Sequence, residues 1–164
     1  MKVAKMRRRS ILVVDDEELS RSTLRDHFTD CGYDVTMAVD GEDALKHFIP
    51  DKFDCVISDL VMPKIDGIEL LKRMKLQDEE LSFLIMTGYP NMDSVVAAAK
   101  EGAYDYVTKP FHLEDMLLKV ERMLDAKRTE KSLKKFKHLF WGSIISIPVW
   151  LILGFALGLV WKWR

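Results

Sequence analysis

Four short apolar runs of this chain each end in a side chain able to do polar chemistry. Ile11–Val14 runs into Asp15 and Asp16, Cys55–Ser58 into Asp59, Phe83–Met86 into Thr87, and Tyr106–Thr108 into Lys109. Short apolar runs separated by helical patterns read as buried parallel strands. In an open parallel sheet the ligand crevice lies outside the carboxyl ends of the strands. Three carboxylates, a hydroxyl and an ammonium therefore converge on one edge. Two carboxylates about 5 Å apart repel by roughly 3 kcal/mol at an effective dielectric of about 20, so the trio calls for a cation among them. Hard oxygen ligands with room left for water suit Mg²⁺, which is commonly held by one or two carboxylates plus a phosphate. Asp16, taken alone before the first helix, would serve equally as an N-cap. Polar residues at four strand ends would not all be caps.

The elements that must position these groups alternate regularly. Strands are expected at about Ser10–Val14, Asp34–Ala38, Phe53–Ser58, Ser82–Met86 and Asp105–Thr108. Helices are expected at about Leu19–Cys31, Gly41–Phe48, Ile68–Lys75, Met92–Glu101 and onward from Leu113. Gly32 and Gly102 are placed to close the first and fourth helices as C-terminal caps. Asp40 is placed to open the second. Five strands and five helices in strict alternation imply parallel pairing with right-handed crossovers. Leu113, Met116, Leu117, Val120 and Leu124 recur at helical spacing and give the fifth helix one apolar face.

Composition bounds the function. A formal net charge of −1 over 164 residues argues against a nucleic-acid binder. Cys31 and Cys55 fall in apolar stretches and read as buried thiols, with no disulfide framework. His27, His47, His112 and His138 are scattered and none stands at zinc-ligand spacing. Residues 1–9 form a basic arm with Lys2, Lys5, Arg7, Arg8 and Arg9. The apolar run that follows is too short for a signal peptide.

After Ala126 the pattern changes. Residues 127–138 hold Lys127, Arg128, Lys131, Lys134, Lys135 and Lys137 against Glu130, and read as a basic helical neck continuing the fifth helix. Leu139–Trp161 carries no charge, and as a helix its 23 residues would reach about 34 Å, enough to cross a hydrocarbon core of about 30 Å. Thirteen of them are Leu, Ile, Val or Phe, worth about −4 to −8 kcal/mol toward insertion. Pro148 is tolerated in a span, and Trp141, Trp161 and Trp163 suit its interfaces. A transmembrane helix over 139–161 is the expectation, with a short tail at 162–164. The basic neck places the preceding domain in the cytoplasm, single-pass on the inner membrane. Gly154 and Gly158 offer a close-packing face for a second span.

With these residues in view, the chain resembles a two-component response-regulator receiver domain. The matching stretches are Ile11–Glu17 (ILVVDDE), Asp59–Gly67 (DLVMPKIDG) and Thr87–Phe111 (TGYPNMDSVVAAAKEGAYDYVTKPF), within about residues 9–126. The Thr-Gly-Tyr and Gly-Ala-Tyr-Asp-Tyr phrases are similar to receivers of the nitrogen-regulation class. The resemblance implies a flavodoxin-like, doubly wound five-stranded parallel sheet of order 2-1-3-4-5 over residues 10–126. It implies Asp59 as the nucleophile that takes a phosphoryl group from a phosphohistidine of a sensor kinase or phosphotransfer protein. Asp16 and, largely through water, Asp15 would hold Mg²⁺ together with Asp59 and the Val61 carbonyl. Lys109 would contact a phosphoryl oxygen, Thr87 would swing toward it, and Tyr106 would move inward. The Lys109–Pro110 bond would be cis, as receivers usually have it.

Such receivers usually precede an ATPase and a DNA-binding domain, and here an expected span follows instead. The reading favoured by the intact acidic set is a membrane-anchored phosphorylation switch that changes protein–protein contacts, with no enzyme activity beyond self-phosphorylation and self-dephosphorylation. The face of helix 4, strand 5 and helix 5 is a candidate homodimer surface beside the Gly154/Gly158 pair. The alternatives are a phosphorylation-independent tethered docking module and a phosphate sink.

Overall fold

In the computed structural model, residues 8–129 and 132–133 are described. Five strands alternate with helices: β1 Ser10–Val14, α1 Glu18–Asp30, β2 Asp34–Ala38, α2 Gly41–His47, β3 Cys55–Asp59, α3 Gly67–Lys75, β4 Ser82–Thr87, α4 Met92–Lys100 and β5 Asp105–Thr108. A fifth helix, α5, occupies residues 113–129. The strands form one sheet of order β2-β1-β3-β4-β5, every pairing parallel. The doubly wound parallel sheet, its strand order and the alternation of elements match the expectation for residues 10–126. The chain divides into two compact units, Met1–Leu124 and Asp125–Arg164.

Strand alternation divides the core. Leu12, Val14, Val56, Phe83 and Ile85 face a cluster built with Ala44, Leu70, Leu71, Met74 and Ala98, from α2, α3 and α4. Ile11, Val13, Ile57, Leu84 and Met86 face the other side, with Leu24 and Phe28 of α1 and Met116, Val120 and Met123 of α5. Because period two sends successive side chains to opposite faces, both of them covered, the middle of each inner strand is a continuous apolar run, with polar residues at the ends. β1, β3 and β4 are buried at every residue.

Local signals set the boundaries. Gly32 and Gly102 follow α1 and α4 at φ of +89° and +85°, a region open to glycine at no steric cost. Asp40, Asp66 and Asn91 cap α2, α3 and α4, each accepting from a backbone N–H three residues on. Two expectations need correction. Asp59 and Thr87 are the last residues of β3 and β4 rather than the residues after them, because Asp59 pairs with Met86 and Thr87 with Thr108. Cys31 is exposed, since it lies past the last turn of α1, beyond its buried stripe; Cys55 is buried in β3.

Among the described residues no helix is long and apolar enough to cross a membrane. The expected span at 139–161, the Gly154/Gly158 pair, the tail at 162–164 and most of the neck lie outside the described residues.

Candidate functional site

The sheet order reverses between β1 and β3, because β1 feeds outward to β2 while β3 feeds the opposite way. That reversal opens a crevice at the carboxyl ends of the two strands. Asp15 and Asp16 follow β1 and Asp59 ends β3, and one carboxylate oxygen from each lies within 4.8 Å of the others. Asp15 is fully buried, Asp59 nearly so, and Asp16 exposed. The residue that caps α1 is Glu17, with no side-chain cap bond, so Asp16 is not an N-cap.

Lys109 arrives from the end of β5. Its backbone N–H donates to the Thr87 carbonyl at 2.7 Å, and the following peptide bond to Pro110 is cis, as the resemblance implied. Lys109 Nζ donates to Asp59 Oδ2 at 2.6 Å and to Asp15 Oδ2 at 2.7 Å. Burial of this ammonium works to lower its pKa. The hydrogen bonds it donates to Asp15 and Asp59, with their negative charge, outweigh that effect and hold it above the ordinary lysine value. Three carboxylates against one ammonium leave two negative charges in a partly buried corner. Oxygen donors of this kind, one of them solvent-facing, fit a small divalent cation.

Asp59 Oδ1 accepts from the Val61 N–H at 3.2 Å. The Val61 side chain is exposed, on a loop that α3 approaches closely. A Cβ on Gly67 would fall 2.4 Å from the Asp59 carbonyl oxygen, so only glycine fits there. Gly41 is similarly tight, its Cβ position 2.8 Å from Ile65 of the same loop. Lys64 adds a polar strap to Asp40 and Glu42, both at 2.9 Å.

The two expected switch residues stand farther along the edge. Thr87 is fully buried, and its Oγ1 accepts from the Tyr89 N–H at 3.1 Å. Tyr106 is half-buried and packs on the α2–α3–α4 side of the core, its hydroxyl 2.8 Å from Ser94 Oγ on α4. The sequence-derived set thus splits: Asp15, Asp16, Asp59 and Lys109 form one cluster, while Tyr106 has its polar bond elsewhere.

Three residues that hold these groups carried no sequence signal. Ser20 Oγ donates to Asp15 Oδ2 at 2.6 Å. Buried Arg21 donates to the Asp15 carbonyl and pairs with Glu18. Ser94 holds Tyr106. An i,i+5 spacing from Asp15 to Ser20 across a strand–helix turn is not a periodicity that sequence reading can use.

The fold is thus a doubly wound parallel-sheet domain with three acids and a lysine gathered at its switch point. The chain belongs to the response regulator receiver domain family, whose model matches residues 11–121. It is 37% identical over 114 residues to the response regulator MprA of Mycolicibacterium vanbaalenii, covering 70% of this chain and 49% of that one. It is 34% identical over 141 residues to the regulatory protein AtoC of Escherichia coli, covering 83% of this chain and 31% of that one. A crystal structure of a response regulator from Burkholderia pseudomallei with a phosphorylated aspartic acid, calcium ion and citrate superposes with a TM-score of 0.65. It is 28% identical and covers 77% of this chain and 74% of that one. The chain spans about half the length of the MprA relatives it matches. Receiver domains of two-component response regulators are generally phosphoacceptors rather than classical enzymes, and this chain is consistent with that class.

Proposed function

We propose that Asp59 accepts a phosphoryl group from a phosphohistidine of a sensor kinase or phosphotransfer protein, with Mg²⁺ held at Asp15, Asp16, Asp59 and the Val61 carbonyl. The observation that carries this reading is Lys109 Nζ, within hydrogen-bond reach of both Asp15 and Asp59. An Asp59 carboxylate oxygen attacks phosphorus; the P–O bond forms as the P–N bond breaks, and that electron pair returns to the imidazole nitrogen. The product is an acyl phosphate. Bound Mg²⁺ supplies charge neutralisation at the phosphoryl oxygens. Lys109 supplies a second positive charge from a fixed backbone, and transfer of this kind rests mostly on positioning and charge stabilisation. Thr87, turned from the Tyr89 N–H, donates an O–H hydrogen bond to a phosphoryl oxygen, and Tyr106 turns inward.

The response is read on the α4–β5–α5 side. Tyr89, Met92 and Val96 expose apolar surface on and before α4, as do Tyr104 before β5 and Leu118 on α5. That surface suits a protein partner or a second copy of the chain. Residues 139–161 anchor the domain to the inner membrane with its site in the cytoplasm. Retention of the full chain in bilayers after an alkaline carbonate wash checks the anchor; release into the supernatant would contradict it.

Incubation of the full chain with acetyl phosphate, with and without Mg²⁺ and beside Asp59→Asn, tests the reaction. An acid-stable, base-labile adduct that needs Mg²⁺ and Asp59 is expected. A folded chain that binds Mg²⁺ and forms no adduct would point to the docking module instead.

A further inference from the structure

Asp15 is the most deeply buried charge of the site, and its bonds are unequally shared. Oδ1 accepts from the Glu17 N–H at 2.9 Å. Oδ2 accepts twice, from Lys109 Nζ at 2.7 Å and from Ser20 Oγ at 2.6 Å. Lys109 is a shared donor, also bound to Asp59, and on the reading above it turns to a phosphoryl oxygen when Asp59 is modified. Ser20 serves Asp15 alone. It sits on the first turn of α1, beside Arg21, whose guanidinium holds the Asp15 carbonyl. The same turn thus grips Asp15 at its main chain and its side chain.

We infer that Ser20 is a positioning residue for the cation site: its hydroxyl helps fix the Asp15 carboxylate, whose ligand oxygen lies within 4.8 Å of one each from Asp16 and Asp59, whether or not Lys109 is bound to it. Without the Ser20 hydroxyl, Oδ2 would depend on Lys109, a donor shared with Asp59, and the Glu17 N–H at Oδ1 would be left as the other bond that orients the carboxylate. Outer partners of this kind typically contribute 10–100-fold to metal affinity. A hydroxyl bonded to an ionised acceptor is a strong, short link, in keeping with the 2.6 Å separation. The inference rests on the Mg²⁺-dependent reading of the site.

The test is Mg²⁺ binding to the full, unphosphorylated chain by calorimetry, for the parent, Ser20→Ala, Ser20→Thr and Ser22→Ala. Ser22 lies two residues further along α1, but its hydroxyl bonds the Leu19 carbonyl and not Asp15. Ser20→Ala should weaken Mg²⁺ at least about tenfold while melting near the parent temperature without metal. Ser20→Thr, which keeps the hydroxyl, should restore parental affinity, and Ser22→Ala should not depart from it. With acetyl phosphate, Ser20→Ala should need more Mg²⁺ for half-maximal phosphorylation yet reach a parental rate at saturation. An unchanged or tighter Mg²⁺ constant in Ser20→Ala overturns the role of Ser20 while leaving the cation site standing. Absence of Mg²⁺ binding by the parent overturns the cation site and the role of Ser20 together.

Discussion

Asp15 and Tyr106 lie at the same edge of one sheet and are held in opposite ways. Around Asp15, β1 and β3 are buried at every residue. Its carboxylate is fixed by a backbone N–H, a hydroxyl and an ammonium. Around Tyr106, β5 is an edge strand buried only at Val107, and α4 contributes a single buried residue, Ala98. One hydrogen bond to Ser94 ties the tyrosine down. The corner proposed to take the phosphoryl group is over-determined, while the edge proposed to respond is lightly held. Elements with few buried apolar contacts open at low free energy. A charge placed on Asp59 will therefore find the weak side of the sheet before it disturbs the strong one.

The difference can be broken from either side. The largest effect is expected from Asp59→Asn, which should abolish the acyl phosphate altogether by intact mass while leaving the fold intact. Next is Gly67→Ala. Its methyl would meet the Asp59 carbonyl at 2.4 Å, backbone that cannot step aside, and should destabilise the domain by about 1–3 kcal/mol in urea unfolding. A smaller effect belongs to the responsive side. Ser94→Ala should cost no more than about 1 kcal/mol of stability, raise microsecond-to-millisecond exchange at β5 and α4 in NMR relaxation dispersion, and leave Mg²⁺ affinity as it was. If it altered Mg²⁺ affinity instead, the separation of the two regions would be wrong. The smallest effect belongs to the Lys64 strap. Its hydrogen bond lowers the Asp40 carboxyl below its ordinary value of 3.8. A folded value below the unfolded one gives a contribution present above about pH 4 and lost as pH falls through the folded value. In Lys64→Ala that part of the acid dependence should flatten, and the loss should fade in high salt.

The same contrast marks what was legible in the sequence. Asp15, Asp16, Asp59, Thr87 and Lys109 could be placed because each closes an apolar run, and a parallel sheet gathers strand ends. The helix stops at Gly32 and Gly102 followed from backbone sterics, and Asp40 from capping chemistry. Each of these signals is local. The partners of Asp15 and Tyr106 were not legible, because Ser20 and Ser94 read as ordinary helix-surface serines until the fold sets a carboxylate or a phenol beside them. Cys31 misled for a related reason: its neighbours Phe28 and Tyr33 are buried, yet it sits past the last turn of α1, where the inward stripe no longer applies. Gly67 stood within the motif, but the closeness of Asp59 that demands it appears only in three dimensions.

Amide hydrogen exchange of the full chain, before and after acetyl phosphate with Mg²⁺, would test most directly whether chemistry at the fixed corner is answered at the loose edge. Protection should change across Thr87 to Tyr106, including α4, while the amides of β1 and β3 keep theirs. Phosphorylation that leaves α4 and β5 unaltered, or that loosens β1 and β3 first, would contradict the account.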